Sequence, residues 1–142
     1  LFKQAKKQGV TTVLNPAPAH EIMPELLQYT DVIAPNETEC ALLTGIELTD
    51  EDSMLKSADY FSERGVKHLL ITLGDRGVFY ATPDDHGLVP AFKVKAVDTT
   101  AAGDTFIGAL CSQLEKDLTV QRMGAMPSIP TGEDVKAALK QE

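Results

Sequence analysis

The chain has 142 residues, enough for one domain with its own core, and 43% of them are hydrophobic while 24% are charged. The formal net charge is −8, and no cluster of Lys and Arg is present to neutralise phosphates. The composition therefore predicts neither a nucleic-acid partner nor binding to an anionic membrane. No apolar run reaches transmembrane length and no signal peptide is visible, so we expect a cytoplasmic protein.

The first residues have the pattern of the end of a helix. Residues 1–8 combine apolar and basic side chains, and Gly9 follows the basic last turn as a typical helix stop. Because a natural chain rarely begins within a helix, we expect a fragment or a sequence that omits an upstream part.

Strands and helices then alternate along the chain. The pattern predicts strands at 10–14, 31–34, 67–73 and 78–82, with extended segments at 88–92 and 94–97. It predicts helices at 21–29, 37–44, 50–64 and 103–115, and a last helix capped by Thr131. Gly45 would end the second of these helices, and Thr49 with Asp52 would cap the third. Residues 84–87 are predicted as a turn, and the helix at 103–115 has one apolar face, formed by Phe106, Ile107, Leu110, Cys111 and Leu114. We expect an α/β domain with a largely parallel sheet, to which the hairpin at 67–82 adds an antiparallel part. Neither a repeat nor a linker divides residues 1–142.

Cysteine and histidine usage points to no metal site. Cys40 and Cys111 lie in apolar helical patterns, which favours buried free thiols over a disulfide. The three histidines, His20, His68 and His86, are isolated and lack metal-ligand spacing.

The stretch DTTAAGDTF, residues 98–106, places small residues and an acid where a helix begins. The first N–H groups of a helix lack internal partners and lie at the positive end of its dipole, so Ala101, Ala102 and Gly103 would offer bare backbone to an anion. Asp104 could then accept a proton from a hydroxyl that attacks a phosphoryl group. The alternative is that Asp104 only complements the helix dipole.

Two further segments have both a structural and a functional interpretation. TLGDRG, residues 72–77, ends a strand in a G-x-x-G turn, which is either an ordinary hairpin turn or a clamp for phosphate or adenine. PNETE, residues 35–39, places Asn36 at a helix cap and Glu37 and Glu39 in the first turn, where the dipole favours acids. Alternatively, Asn36 and Glu39 face phosphates and, through water, Mg²⁺.

An irregular segment near the end of the chain could bind a cation. The backbone carbonyls of RMGAMPSIP, residues 122–130, could hold a monovalent ion together with Asp98 and a hydroxyl. Without further support, a plain loop is the simpler interpretation.

Taken together and in this order, these segments resemble the C-terminal half of ribokinases in the PfkB family of sugar kinases. The family's signature, D-T-x-G/A-A-G-D, is similar to Asp98–Asp104, and its Ala-Ala form resembles the ribokinase version. NPAPA, PNETE, TLGDRGV and GAMPSIP are also similar and occur in the family's order. The resemblance covers essentially the whole chain and implies the C-terminal, nucleotide-binding part of a three-layer α/β/α ribokinase-like domain with a mostly parallel sheet.

The resemblance also implies roles for individual residues. Asp104 would be the catalytic base for the 5-hydroxyl of the sugar, and the anion hole would be formed by the backbone of Ala101, Ala102 and Gly103. The ATP site would be lined by Asn36, Thr72, Leu73, Gly74, Asp75, Arg76, Gly77 and Gly103. Glu39 would hold Mg²⁺ through water. An activating K⁺ would be bound by Asp98, Thr100, Thr119, Arg122, Gly124 and Ser128.

The sequence departs from the family in two respects. The N-terminal half, which carries most sugar contacts and a β lid in the family, is absent. About one helix is also missing where Leu118 runs almost directly into Thr119, and in the family that helix supplies one wall of the adenine pocket. If that helix is truly absent, we expect a polypeptide without turnover.

These features predict Mg·ATP-dependent phosphorylation of D-ribose at O5, with Asp104 as the base, in a protein that is a homodimer at full length. Two alternatives stay open. One is another sugar or nucleoside kinase of the same family, such as a fructokinase or an adenosine kinase. The other is a truncated nucleotide-binding module that binds ATP without transferring phosphate.

Overall fold

The computed structural model describes residues 1–19, 22–91 and 102–115, and in the last range it describes the side chains of residues 105–112. The chain divides into two compact units, Leu1–Ala96 and Val97–Glu142. The predicted strand at 94–97 and the helix after Thr131 lie outside the described residues.

Strands and helices alternate as the sequence predicts, which confirms the α/β class. The helices are α1 Phe2–Lys7, α2 Pro24–Leu27, α3 Glu37–Thr44, α4 Glu51–Ser62 and α5 Ala102–Glu115. The strands are β1 Val13–Leu14, β2 Val32–Ile33, β3 His68–Thr72, β4 Val78–Ala81 and β5 His86–Val89. A short 3-10 turn, Gly74–Arg76, joins β3 to β4. His86 and Gly87, predicted as part of a turn, belong to β5 because they pair with Ala81 and Tyr80.

The five strands form one sheet in the order β1-β2-β3-β4-β5. The first three are parallel, with Val32 of β2 opposite His68 of β3. The last three are antiparallel, with Ile71 of β3 opposite Phe79 of β4. Because parallel strands end at the same edge of a sheet, the loops that follow β1, β2 and β3 leave from one edge, which we call the carboxyl edge.

The core of the first unit lies between α3, α4 and one face of the sheet. Ile33, Ile71 and Phe79 are fully buried on that face, and Cys40 of α3 and Phe61 of α4 pack in the same cluster. The opposite face is also buried at Val32, Leu70 and Tyr80. The central strands are thus covered on both faces, as is typical of layered α/β folds.

Helix α4 is capped differently from the sequence prediction. Thr49 with Asp52 was expected to cap it, but Asp50 is the N-cap: its Oδ1 accepts the Ser53 N–H at 2.9 Å, and Ser53 Oγ accepts the Asp50 N–H at 3.1 Å. Asp50 is the residue with extended backbone, at φ −154°, so its carboxylate faces the free N–H groups of the first turn.

Asp31 directly precedes β2, at the edge of the sheet where the parallel strands begin, opposite the carboxyl edge. Its carboxylate connects several segments there. The Thr12 N–H donates to its Oδ2 at 3.1 Å, and the Thr12 hydroxyl lies 3.0 Å from the same oxygen. Lys67 and Lys6 place their Nζ atoms 3.3 and 3.5 Å from Oδ1. Burial raises the pKa of Asp31, but these hydrogen bonds and ammonium groups outweigh burial, so the pKa lies below its ordinary value of 3.8.

Both cysteines are free thiols, as predicted. Cys40 is fully buried, whereas Cys111 is only half-buried on α5. In the described part of α5, the less exposed positions are Phe106, Ile107, Leu110 and Cys111, the predicted apolar face. No helix in the described part of the chain has both the length and the hydrophobicity needed to span a bilayer.

Candidate functional site

The carboxyl edge brings two of the predicted site segments together. Asn36, which follows β2, forms an isolated parallel bridge with Thr72 at the end of β3. The Thr72 N–H donates to the Pro35 carbonyl at 3.0 Å. The start of α3 and the turn after β3 are therefore neighbours in space, although residues 35–39 and residues 72–77 are far apart in the sequence. Ligands of open α/β sheets bind outside the carboxyl ends of the strands, so this is the expected place for a site.

Asn36 and Glu39 form a capping box at the start of α3. Asn36 Oδ1 accepts the Glu39 N–H, and Glu39 Oε2 accepts the Asn36 N–H, both at 2.8 Å. The capping interpretation of these residues is thus confirmed. Asn36 is exposed, and among the described residues its side-chain Nδ2 has no hydrogen-bond acceptor, so two donors remain for a ligand.

The turn after β3 is held by its own backbone. The Leu73 N–H donates to the Gly77 carbonyl at 2.8 Å, and the Gly77 N–H donates to the Gly74 carbonyl at 3.2 Å. Since the turn joins the antiparallel strands β3 and β4, the hairpin interpretation of this segment is confirmed.

The two glycines of this turn are needed for different reasons. Gly74 has φ +60°, and a Cβ built on it would meet nothing within 4 Å, so its backbone faces open space. Gly77 has φ +106°, and a Cβ there would lie 1.8 Å from the carbonyl oxygen of Val89. Packing against the end of β5 is sufficient to explain Gly77, whereas Gly74 leaves bare backbone that a ligand could approach.

Arg76, predicted to line the ATP site, makes an ion pair between its Nη2 and Glu37 Oε1. Glu37 is the first residue of α3, so the pair connects the turn after β3 to the first turn of that helix. Sequence reasoning missed this partnership, because 39 residues separate the two and no local pattern links them. Asp75 of the same turn is exposed.

Helix α5 begins at Ala102, so Gly103 and Asp104 lie in its first turn, as the sequence predicts. The side chain of Asp104 is outside what the structure describes, and its role as a base stays a prediction. Several other predicted site residues also lie outside the described ranges: Ala101 of the anion hole and Asp98, Thr100, Thr119, Arg122, Gly124 and Ser128 of the K⁺ site.

The described residues provide one carboxylate that fits a water-mediated magnesium site. No three His, Cys, Asp or Glu side chains cluster there in a way that could hold a metal ion directly. Magnesium commonly keeps several waters and uses only one or two protein carboxylates together with substrate phosphates. Glu39 fits that pattern: its side chain is largely buried, its Oε2 is used by the cap, and none of the described residues bonds its Oε1, which remains for a water.

Comparison with known proteins agrees with this arrangement. A family model described as pfkB family carbohydrate kinase matches residues 1–140. The chain belongs to this family.

Two curated relatives and one solved structure illustrate the similarity. The bifunctional ribokinase/ribose-5-phosphate isomerase A of Fructilactobacillus sanfranciscensis is 55% identical over 99% of this chain and 29% of its own length. The ribokinase of Staphylococcus aureus is 50% identical over 94% of this chain and 49% of its own length. The structure of Arabidopsis thaliana ribokinase complexed with ribose and ATP is 30% identical, with a TM-score of 0.76 over 98% of this chain and 50% of that one. The chain thus spans about half, or less, of the length of these relatives.

The alignment with the Fructilactobacillus relative extends over 157 residues, whereas this chain has 142. That relative therefore contains residues without a counterpart here.

Proposed function

We propose that the protein is an ATP-dependent sugar kinase that phosphorylates D-ribose at O5, with an alcohol group as the acceptor. The observation that carries the proposal is the bridge between Asn36 and Thr72, which joins a helix start and a glycine turn at the carboxyl edge in a chain of the pfkB family. The relatives named as ribokinases, at 55% and 50% identity, favour ribose over other sugars.

In this proposal the carboxyl edge binds ATP. The free amide donors of Asn36 and the open backbone of Gly74 face the phosphates, and the lining is completed by Thr72, Leu73, Asp75, Arg76 and Gly77. Glu39 holds Mg²⁺ through water, since one of its oxygens is not used by the cap. When bound, Mg²⁺ neutralises charge on the phosphates.

Asp104 acts in this proposal as the base. It accepts the proton of the ribose 5-hydroxyl while that oxygen attacks the terminal phosphorus in line, and the bond from this phosphorus to the bridging oxygen breaks so that ADP leaves. In this proposal the backbone N–H groups of Ala101, Ala102 and Gly103 stabilise the charge on the transferred group. A carboxylate at a helix start is a weak base, which is tolerable because the transition state is loose and positioning matters more than basicity.

The exchange Asp104→Asn tests the chemistry. The variant keeps the shape of the side chain but cannot accept the proton, so we expect kcat to fall by about 10² to 10⁴ while the ATP Kd stays within a few-fold. Asp59→Asn, an exposed acid on α4, is the charge-matched control and should leave both constants unchanged. An Asp104→Asn enzyme with wild-type kcat would contradict the proposal.

Two further measurements address the substrate and the cation. Initial rates with ribose, deoxyribose, fructose and adenosine distinguish a ribokinase from a fructokinase or an adenosine kinase of the same family.

Replacing K⁺ by Li⁺ tests the predicted cation site. The rate should fall in Li⁺ if the K⁺ site is formed by Asp98, Thr100, Thr119, Arg122, Gly124 and Ser128. Equal rates in the two salts would remove K⁺ from the proposal.

We also infer that the full-length protein is a cytoplasmic homodimer without nucleic-acid or membrane partners. The net charge of −8 supports the last point, because a negatively charged chain is repelled by nucleic acids and by anionic membranes. Light scattering coupled to gel filtration measures the assembly. A mass of one subunit would contradict the dimer.

A second candidate function is a nucleotide-binding module without turnover. It is favoured by the residues of the Fructilactobacillus relative that lack a counterpart here. This candidate predicts that ATP binds and that no ribose 5-phosphate forms, and calorimetry with a coupled assay on the same sample distinguishes the two functions.

A further inference from the structure

We propose that Glu37 is a positioning residue for the nucleotide: its ion pair with Arg76 holds the turn Gly74–Arg76 against the first turn of α3. The inference rests on the proposed function, because it assigns the nucleotide to the carboxyl edge. It also gives Arg76 a different task from direct contact with the phosphates.

The ion pair connects the turn Gly74–Arg76 directly to helix α3. The Thr72 N–H bond to Pro35 fixes the end of β3, and the capping box fixes Asn36. Among the described residues, the hydrogen bonds and ion pairs of residues 74–76 stay within the turn, except for the pair with Glu37. Without Glu37, the described contacts between this segment and the start of α3 would be reduced to those of Thr72, and the backbone at Gly74 would be held less firmly beside Asn36.

Charge balance gives the pair a second role. The first turn of α3 carries two acids, Glu37 and Glu39, and both would repel a polyphosphate at this edge. The positive charge of Arg76 neutralises Glu37, and the same attraction keeps the Arg76 guanidinium beside the first turn of α3. The two side chains are 42% and 48% exposed, so the pair is also open to screening by salt.

The substitutions Glu37→Gln, Arg76→Gln and their combination test the inference in the full-length protein. We expect each single substitution to raise the KM for ATP about three-fold with kcat unchanged, an effect of the size that a half-exposed ion pair supports. The double substitution should be no worse than either single one, because both remove the same contact. High salt should shrink the difference between wild type and Glu37→Gln.

The ion pair of Asp52 with Lys56 on α4, at 2.7 Å, supplies the matched control. It is also an exposed pair, but it does not connect to the turn after β3. The double substitution Asp52→Asn with Lys56→Gln should leave the KM for ATP at the wild-type value.

Direct binding of phosphate by Arg76 predicts the opposite sign for one variant. Glu37→Gln would then leave the KM for ATP unchanged or lower it, because it frees Arg76 and removes a repelling charge, while Arg76→Gln would still raise it. That result overturns the inference, and so does a KM that neither substitution changes.

A measurement without nucleotide separates this inference from the proposed function. The amide protons of Arg76 and Gly77 are bonded within the turn, and their exchange reports how firmly the turn is held. We expect faster exchange at both amides in Glu37→Gln, and unchanged exchange overturns the positioning role. If the wild-type protein binds no ATP, the proposed function fails and the positioning role for a nucleotide fails with it, even where exchange shows that the ion pair holds the turn.

Discussion

Asn36 and Glu39 cap the same helix reciprocally, each accepting the backbone N–H of the other at 2.8 Å. Both residues are also the ones that the proposal assigns to the phosphates and to Mg²⁺. Structural and ligand roles therefore overlap at the start of α3, and a simple alanine substitution would confound them. Substitutions that keep the cap are needed to separate the two roles.

The pair Asn36→Ser and Asn36→Ala provides that separation. A serine hydroxyl can still accept the Glu39 N–H, so we expect the free energy of unfolding to stay within about 0.5 kcal/mol of wild type, whereas alanine should cost about 1 kcal/mol. Both variants lose the Nδ2 donors and should bind ATP more weakly to the same extent. Denaturant unfolding and calorimetry check this, and an Asn36→Ser protein with wild-type ATP affinity would argue against a ligand role.

The two glycines of the turn after β3 should respond very differently to alanine. In Gly74→Ala the added methyl group contacts no neighbour, and the cost comes mainly from the positive φ, which disfavours any residue with a Cβ. We therefore expect a loss of about 1 to 2 kcal/mol of stability. Gly77→Ala places a methyl group against the backbone of β5 and should cost about 3 kcal/mol or more. Gly74→Ala should also weaken ATP binding, since it covers the open backbone. Thermal unfolding of the two variants side by side measures the contrast, and equal losses would be inconsistent with this geometry.

Much of the fold could be predicted from the sequence because local signals were strong. The boundaries of α3 came from Asn36 and Gly45, and the hairpin came from the glycine turn between two apolar runs. The cap of α4 was predicted at the wrong residue, because neighbouring Thr49 and Asp50 both suit an N-cap and only the backbone conformation decides between them.

The site could be predicted only in part, for a physical reason. The capping box and the glycine turn are local and have recognisable spacing. The bridge between Asn36 and Thr72 depends on parallel pairing of β2 with β3, and the pair of Glu37 with Arg76 depends on that bridge. Such contacts are set by the sheet register, which a single sequence does not encode in any local pattern.

Cys40 should be unreactive in the folded protein. Burial raises the pKa of its thiol to about 11, although hydrogen bonds with Ser57 and Thr44 oppose the shift. Because the thiolate is the reactive form, we expect no labelling of Cys40 by a thiol reagent at pH 8, and full labelling in denaturant. Peptide mapping by mass spectrometry separates Cys40 from Cys111, which is half-buried. Rapid native labelling of Cys40 would mean that the α3 core opens readily.

Asp31 should make the stability of the fold fall in acid. Its pKa in the folded state is below the ordinary value of 3.8, so the folded protein binds fewer protons than the unfolded chain near that pH. The stabilisation is therefore present above about pH 4 and is lost as the pH falls through the folded pKa. Asp31→Asn should lose about 2 kcal/mol at pH 7, because the amide oxygen cannot replace the charged partner of Lys6 and Lys67.

The acid response distinguishes this network from a general effect of protonation. Free energies of unfolding measured from pH 7 to pH 3 should fall less steeply for Asp31→Asn than for wild type. Thr12→Val, which removes the hydroxyl beside Oδ2 but keeps the carboxylate, should lose less stability in acid than wild type and level off at a higher pH. The lost donor raises the folded pKa of Asp31 towards its ordinary value, while the pKa in the unfolded chain is unchanged. Identical acid slopes in wild type and Asp31→Asn would show that other carboxylates carry the effect.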